Sequence, residues 1–97
     1  MRESVENIIM AHFGVTPEQL RSAKSDSRNT SDAKHFLWYF LCFVLGYETR
    51  SVAEEYNTSR RNVNYAVSMI RDGVQAIPFY AKHCSELTKQ LKELNLL

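Results

Sequence analysis

The stretch from Ser51 to Ile70 constrains the fold most. Apolar side chains fall at Val52, Ala53 and Tyr56, then again at Val63, Ala66, Val67 and Ile70. The second set follows the i, i+3, i+4, i+7 spacing of a buried helix face. Only Asn57, Thr58 and Ser59 separate the two sets. That leaves room for a tight turn and nothing longer. Asn57 stands where such a turn needs a residue tolerant of the left-handed region. Ser59 is placed to cap the next helix by accepting a backbone N–H. Ala53 is small, as required where two helices cross closely. The pattern predicts a helix-turn-helix over about 49–76, with helices at roughly Thr49–Tyr56 and Arg60–Ala76. The solvent face of the second helix carries Arg60, Arg61, Asn62, Asn64, Tyr65 and Ser68. From Tyr56 to Arg71 there are three arginines and no carboxylate. A helix face that merely meets water usually mixes signs. This one suits phosphates and base edges. The same spacing also occurs in helical proteins that never touch DNA.

The rest of the chain reads as helix too. Val5, Ile8, Ile9 and Phe13 mark a first helix, with Ser4 as its expected cap and Gly14 as its end. Thr16-Pro-Glu-Gln19 is a capping box with Pro17 at the first helical position. It opens a short helix ending near Ser22. Residues 23–31 are polar and turn-rich, and basic at Lys24 and Arg28, so a loop is expected there. A third helix is expected from about Ser31 to Leu45, with Gly46 as its stop. It is apolar almost all round, which predicts a central position. Trp38, Phe40 and Phe43 are expected in the core. Pro78 breaks the chain before a last helix, Phe79–Leu94, with Tyr80, Cys84, Leu87, Leu91 and Leu94 at helical spacing. The expected class is all-α, a compact bundle of about six helices.

At 97 residues the chain has the size of a single domain, taken here as residues 1–97. The longest apolar run, Phe36–Gly46, is too short to span a bilayer. The N-terminus lacks an apolar secretory segment. The expectation is a cytoplasmic, nucleoid-associated protein without membrane contact. Cys42 and Cys84 are the only cysteines. Neither lies in paired C-x-x-C or H-x-x-x-H spacing, so no metal site is expected. His83 adjoins Cys84 only in sequence, and His12 and His35 read as ordinary helix residues. With no triad framework, the chain is expected to have no catalytic residue, no cofactor and no small-molecule substrate. The formal net charge is only +1. Its distribution is more telling: Arg21 to Arg61 holds seven bases against five carboxylates.

This order of elements resembles the C-terminal DNA-binding domain of the bacterial replication initiator DnaA, over Val5 to about Leu94. The first matching piece is Val5 to Leu20, where a helix ends in Phe13-Gly-Val15 before a short capped helix. The second is Ser27-Arg28 followed by Ala33-Lys34-His35, similar to the family's basic loop and the start of its long helix. The third is the helix-turn-helix, with Val63 and Ala66 on matching core positions. The resemblance implies a Trp-repressor-like helix-turn-helix fold. It implies a recognition helix, residues 60–76, in the major groove, and the basic loop, residues 23–31, at the backbone and minor groove. By position, Arg28 matches the loop arginine and Lys24 and Lys34 match the basic positions beside it. Arg60, Arg61 and Asn62 match the start of the recognition helix. The family signature Arg-Asp-His-Thr-Thr-Val is replaced here by Thr58-Ser-Arg-Arg-Asn-Val63, so the base sequence read by the family does not transfer. No G-x-x-x-x-G-K-[ST] loop is present to hold a nucleotide.

The expected partner is double-stranded DNA, bound with sequence preference. Arg60 or Arg61 would meet guanine, and Asn62 or Asn64 adenine. Ser59 and the first amides of its helix suit a phosphate. Lys24, Lys34 and Arg50 are further phosphate candidates, and Tyr65 a sugar or base contact. Each has a plainer reading. Arg61 and Arg71 could pair with Glu54, Glu55 or Asp72; Tyr65 could pack on a neighbouring helix; Arg28 could be a solvated loop charge. The alternative function is a protein-interaction module that keeps the fold and has lost DNA. In it, Leu87, Leu91, Leu94, Leu96 and Leu97 would dock a partner protein or a second copy.

Overall fold

Local capping sets most of the element boundaries. In a computed structural model describing residues 1–97, the chain forms six α-helices and no strand. α1 spans Arg2–Phe13, α2 Pro17–Arg21, α3 Arg28–Tyr39, α4 Thr49–Glu55, α5 Arg60–Gly73 and α6 Pro78–Glu93. Gly14 takes φ 69° and closes α1, its N–H donating to the Met10 carbonyl. Only a residue without Cβ occupies that region at no steric cost. Thr16 and Gln19 form the reciprocal capping box at α2, with Pro17 at its start. Ser59 accepts from the Asn62 amide and opens α5. Asn57 takes φ 56° in the turn between α4 and α5, as its side chain permits.

Several boundaries differ from expectation. α1 begins at Arg2, two residues before Ser4, which sits inside the helix and caps nothing. α3 begins at Arg28, because Ser27 accepts from the Thr30 amide and so outcompetes Ser31 as the cap. The loop therefore shortens to 22–27, and Arg28 belongs to the first turn of α3. Asn29 then donates to the Phe13 carbonyl at 2.8 Å, satisfying the end of α1. α5 stops at Gly73 rather than Ala76. A Cβ at Gly73 would overlap the ring of Tyr80, so glycine is what lets α6 turn back against α5. Pro78 is the first residue of α6, where its missing N–H costs nothing.

The core is one cluster built around α3, which packs against α1, α2 and α5. Ala33, Phe36, Leu37 and Trp38 are buried, as are Val63, Ala66 and Ile70 of α5. At its end α3 widens into a π-helical turn, Phe40–Val44, closed by Leu45 N–H to Phe40 C=O at 2.9 Å. The wider turn keeps Phe40 and Leu41 inside but turns Phe43 outward to 52 % exposure, where it stacks on Tyr39. Phe43 is thus not a core residue. Leu87 and Leu91 of α6 are fully buried, leaving only Leu94 and Leu97 of the expected leucine stripe well exposed. Cys42 and Cys84 are unpaired and half-buried. No helix is long and apolar enough to cross a membrane.

The left-handed turn residue makes a direct test. Asn57→Gly should leave stability nearly unchanged, whereas Asn57→Val should cost about 1–2 kcal/mol in urea unfolding, because a β-branched side chain is strained at that φ.

Candidate nucleic-acid interface

The turn between α4 and α5 is fixed from behind. Tyr56, 1 % exposed, closes α4, and its hydroxyl donates a short hydrogen bond to the Glu6 carboxylate of α1. Arg21 of α2 joins the same carboxylate at 2.7 Å and also reaches Glu55 at 2.8 Å. Its guanidinium lies over the Tyr56 ring, 5.0 Å from the centroid. Arg2 adds an ion pair to Glu55 at 3.3 Å. The Arg21 hydrogen bond holds the Glu55 carboxyl below its usual value. Burial, with the Glu6 carboxylate beside it, pushes the Tyr56 phenol far up. Ser59, three residues on, therefore starts α5 from a position set by α1 and α2.

The outer face of α5 is open. Arg60, Arg61, Asn62, Asn64, Tyr65 and Ser68 are all exposed, Tyr65 at 62 %. Arg60 and Arg61 have no carboxylate within ion-pair distance. Glu54 is engaged by Arg50 at 3.5 Å and Glu55 by Arg2 and Arg21, so neither takes Arg61. Arg71 does pair, with Asp72 at 3.2 Å. Asn62 donates to Thr58 Oγ1 at 3.0 Å, and Asn64 accepts weakly from Thr49 at 3.4 Å. Tyr65 projects from the helix with its ring edge toward His35, 6.3 Å between centroids.

Folding brings the loop to this helix. Ser22, Ala23 and Ser25 form one wall of a cavity of about 260 Å³ whose other wall is Thr58, Asn62 and Tyr65. Lys34, His35, Trp38 and Tyr56 form its floor. Trp38 is buried with its indole N–H unpartnered. Desolvation lowers the His35 pKa, keeping that ring neutral at pH 7. Lys24 lies exposed on the loop outside this cavity, beside Glu18, Gln19 and Asp26, without an ion pair. Arg28 extends from the first turn of α3, 87 % exposed, with Asp32 at 3.9 Å. Arg50 is exposed on α4 beside Glu54.

Lys34 departs from its expected place. It is 5 % exposed, and its ammonium donates to the Ser22 carbonyl at 2.7 Å and Ser25 Oγ at 3.2 Å. Burial lowers its pKa. The side chain ties the loop to α3 and is already engaged within the fold, so it leaves the set of free phosphate contacts. The missed signal is its spacing: Lys34, Leu37, Trp38 and Leu41 share one buried helical stripe.

A second cluster was not read from the sequence. His12 of α1 meets His83 of α6 with Nε2 to Nδ1 at 2.8 Å. Glu86 places a carboxylate oxygen 3.9 Å from the same His12 nitrogen. These three groups are the ones geometrically able to share a metal ion. Seventy-one residues separate the two histidines, so no local spacing could have announced them.

No family model matches the chain, and no curated protein matches it in sequence.

The network behind the turn has a pH signature. Because the folded pKa of Glu55 is depressed, its contribution is fully present above the unfolded value and is lost as pH falls through the folded one. Stability should therefore decline below about pH 4. Glu55→Gln should flatten that acid limb while lowering stability at neutral pH, as read by urea midpoints across the range. Glu6→Ala should cost about 3 kcal/mol, since it strands a buried hydroxyl and breaks one side of a buried ion pair.

Proposed function

We propose that this domain binds double-stranded DNA with sequence preference, α5 entering the major groove and the 22–27 loop lying on the adjacent backbone and minor groove. The observation that carries this reading is the convergence of loop and helix on one cleft beside a helix face whose two leading arginines lack internal partners. A recognition helix meets base edges with its N-terminal residues. Here those are Arg60, Arg61 and Asn62, with Asn64 and Tyr65 one turn on. Arg60 or Arg61 takes guanine O6 and N7; Asn62 or Asn64 takes adenine. Ser59 and the first amides of α5 suit a phosphate. Lys24, Arg28 and Arg50 supply further phosphate contacts, Arg28 by leaving the part-buried Asp32 and Arg50 by leaving the exposed Glu54.

The resemblance to the DnaA C-terminal domain supports the same orientation. The short capped helix, the basic loop and the long third helix occur in the expected order. A role in replication or transcription control follows from that resemblance alone. The alternative, a protein-docking helix at the C-terminus, loses Leu87 and Leu91 to the core.

Selection of duplexes from a random pool near physiological salt tests the proposal. An enriched motif is the expected result; no binding even at low salt would sink it. Arg60→Ala should cost about 1–3 kcal/mol and relax one base position. Lys24→Ala should weaken all sequences alike and reduce the salt slope by about one. Lys34→Ala should behave differently, lowering thermal stability while leaving that slope unchanged, because its ammonium is spent inside the fold.

A further inference from the structure

We propose that His12, His83 and Glu86 form a binding site for a first-row divalent cation, Zn2+ foremost, which fastens α6 to α1. His83 and Glu86 stand three residues apart on α6, one above the other on a single face. His12 comes from the last turn of α1. The three donor atoms lie within 4.8 Å of one another. They come from two helices, and the only bond between them is the His12–His83 contact. Glu86 has no lysine or arginine at ion-pair distance; its sole partner in that range is His12.

Two imidazoles and a carboxylate form a donor set that suits zinc, with a fourth position left for water. A tetrahedral ion with bonds near 2.1 Å separates its donors by about 3.4 Å. The histidine nitrogens, now 2.8 Å apart, must open by about half an ångström, while the Glu86 oxygen closes by about half an ångström on His12 and by about 1.4 Å on His83. Glu86 is 46 % exposed, so its side chain is free to make that move. The ion replaces the proton that now joins the two rings. The donating imidazole moves its proton to its other nitrogen, so two neutral rings bind without net proton loss.

The surroundings favour the ligating form. The His12 side chain is only 10 % exposed. Phe79 packs against His83 with centroids 4.5 Å apart, and Phe13 and Phe36 flank the same ring at 5.4 and 5.9 Å. These rings wall the imidazoles from water on one side, while Glu86 faces solvent and leaves an entry path. α6 holds to the core through Leu87 and Leu91, with Tyr80 and Cys84 partly buried against it in the first turns. A metal shared by His12, His83 and Glu86 adds a direct link from α6 to α1.

The test uses the full chain stripped with a chelator, then titrated with Zn2+ alone and separately with Co2+. One equivalent should bind. At tenfold excess over Kd the melting temperature should rise by roughly 5–10 °C, and chelator should reverse it. Co2+ should give the visible bands of a four-coordinate nitrogen and oxygen site without a thiolate band. His83→Ala should abolish binding. Glu86→Gln, at an exposed position that keeps the fold, should weaken it about tenfold or more. Cys84→Ser should change nothing. An unmoved melting temperature at 0.1 mM Zn2+ (roughly a hundredfold above a micromolar Kd) would overturn the proposal. So would binding that survives Glu86→Gln undiminished, or that disappears in Cys84→Ser.

Discussion

The carboxylate of Glu6 ties α1 and α2 to the turn from which α5 starts. It is buried on α1, yet its partners come from α2 and from the turn after α4. A buried ion pair often adds little net stability, because desolvation cancels much of the attraction. What it supplies is a unique geometry. Tyr56 is held at its tip by Glu6 and on its face by Arg21. An apolar residue at position 56 would fill the same space but would tolerate rotation of the turn. The polar anchor behind the turn therefore fixes the direction in which α5 leaves it.

The same network changes how the charge of the chain is understood. A net charge of +1 is low for a nucleic-acid module. But Arg2 and Arg21 face inward to Glu6 and Glu55, and Lys34 is buried under the loop. Arg28, Arg50 and Arg71 each have a carboxylate near. Six bases remain without an ion pair: Lys24, Arg60 and Arg61 on the loop and the first turn of α5, and Lys82, Lys89 and Lys92 along α6. Local potential depends on which charges are compensated where, and the total says little about it. Of the seven bases between Arg21 and Arg61, Arg21 and Lys34 are engaged within the fold.

Features encoded within four residues of each other were legible in the sequence. Gly14, the Thr16–Gln19 box, Asn57 and Ser59 all act through adjacent backbone groups, so their chemistry fixes the outcome. The apolar periods of α5 and α6 were legible for the same reason. Misreadings fell where a distant contact overrides the local pattern. Lys34 looks like a surface base until Ser22 and Ser25 are seen around it. Glu6 shares a helical stripe with Ile9 and Phe13, a clue that becomes meaningful only with Arg21 and Tyr56 in view. Phe43 belongs to an apolar run, but a π turn adds one residue to the last loop of the helix and rotates it out. His12 and His83 meet across seventy-one residues, beyond the reach of any spacing rule.

The stability of α5 and the openness of its outer face are linked. Surface helices often gain support from opposite charges four residues apart, as Arg50 and Glu54 do on α4. α5 forgoes this along its first ten residues. Its support comes instead from the Ser59 cap and from Val63, Ala66 and Ile70, each fully buried against the core. Adding a glutamate at position 64 or 65 would strengthen the isolated helix and neutralise its face. Without such a residue, Arg60 and Arg61 stay exposed and uncompensated by any carboxylate of the fold. α5 is thus held by its cap and its buried face, and the charge of its outer face is left to solvent.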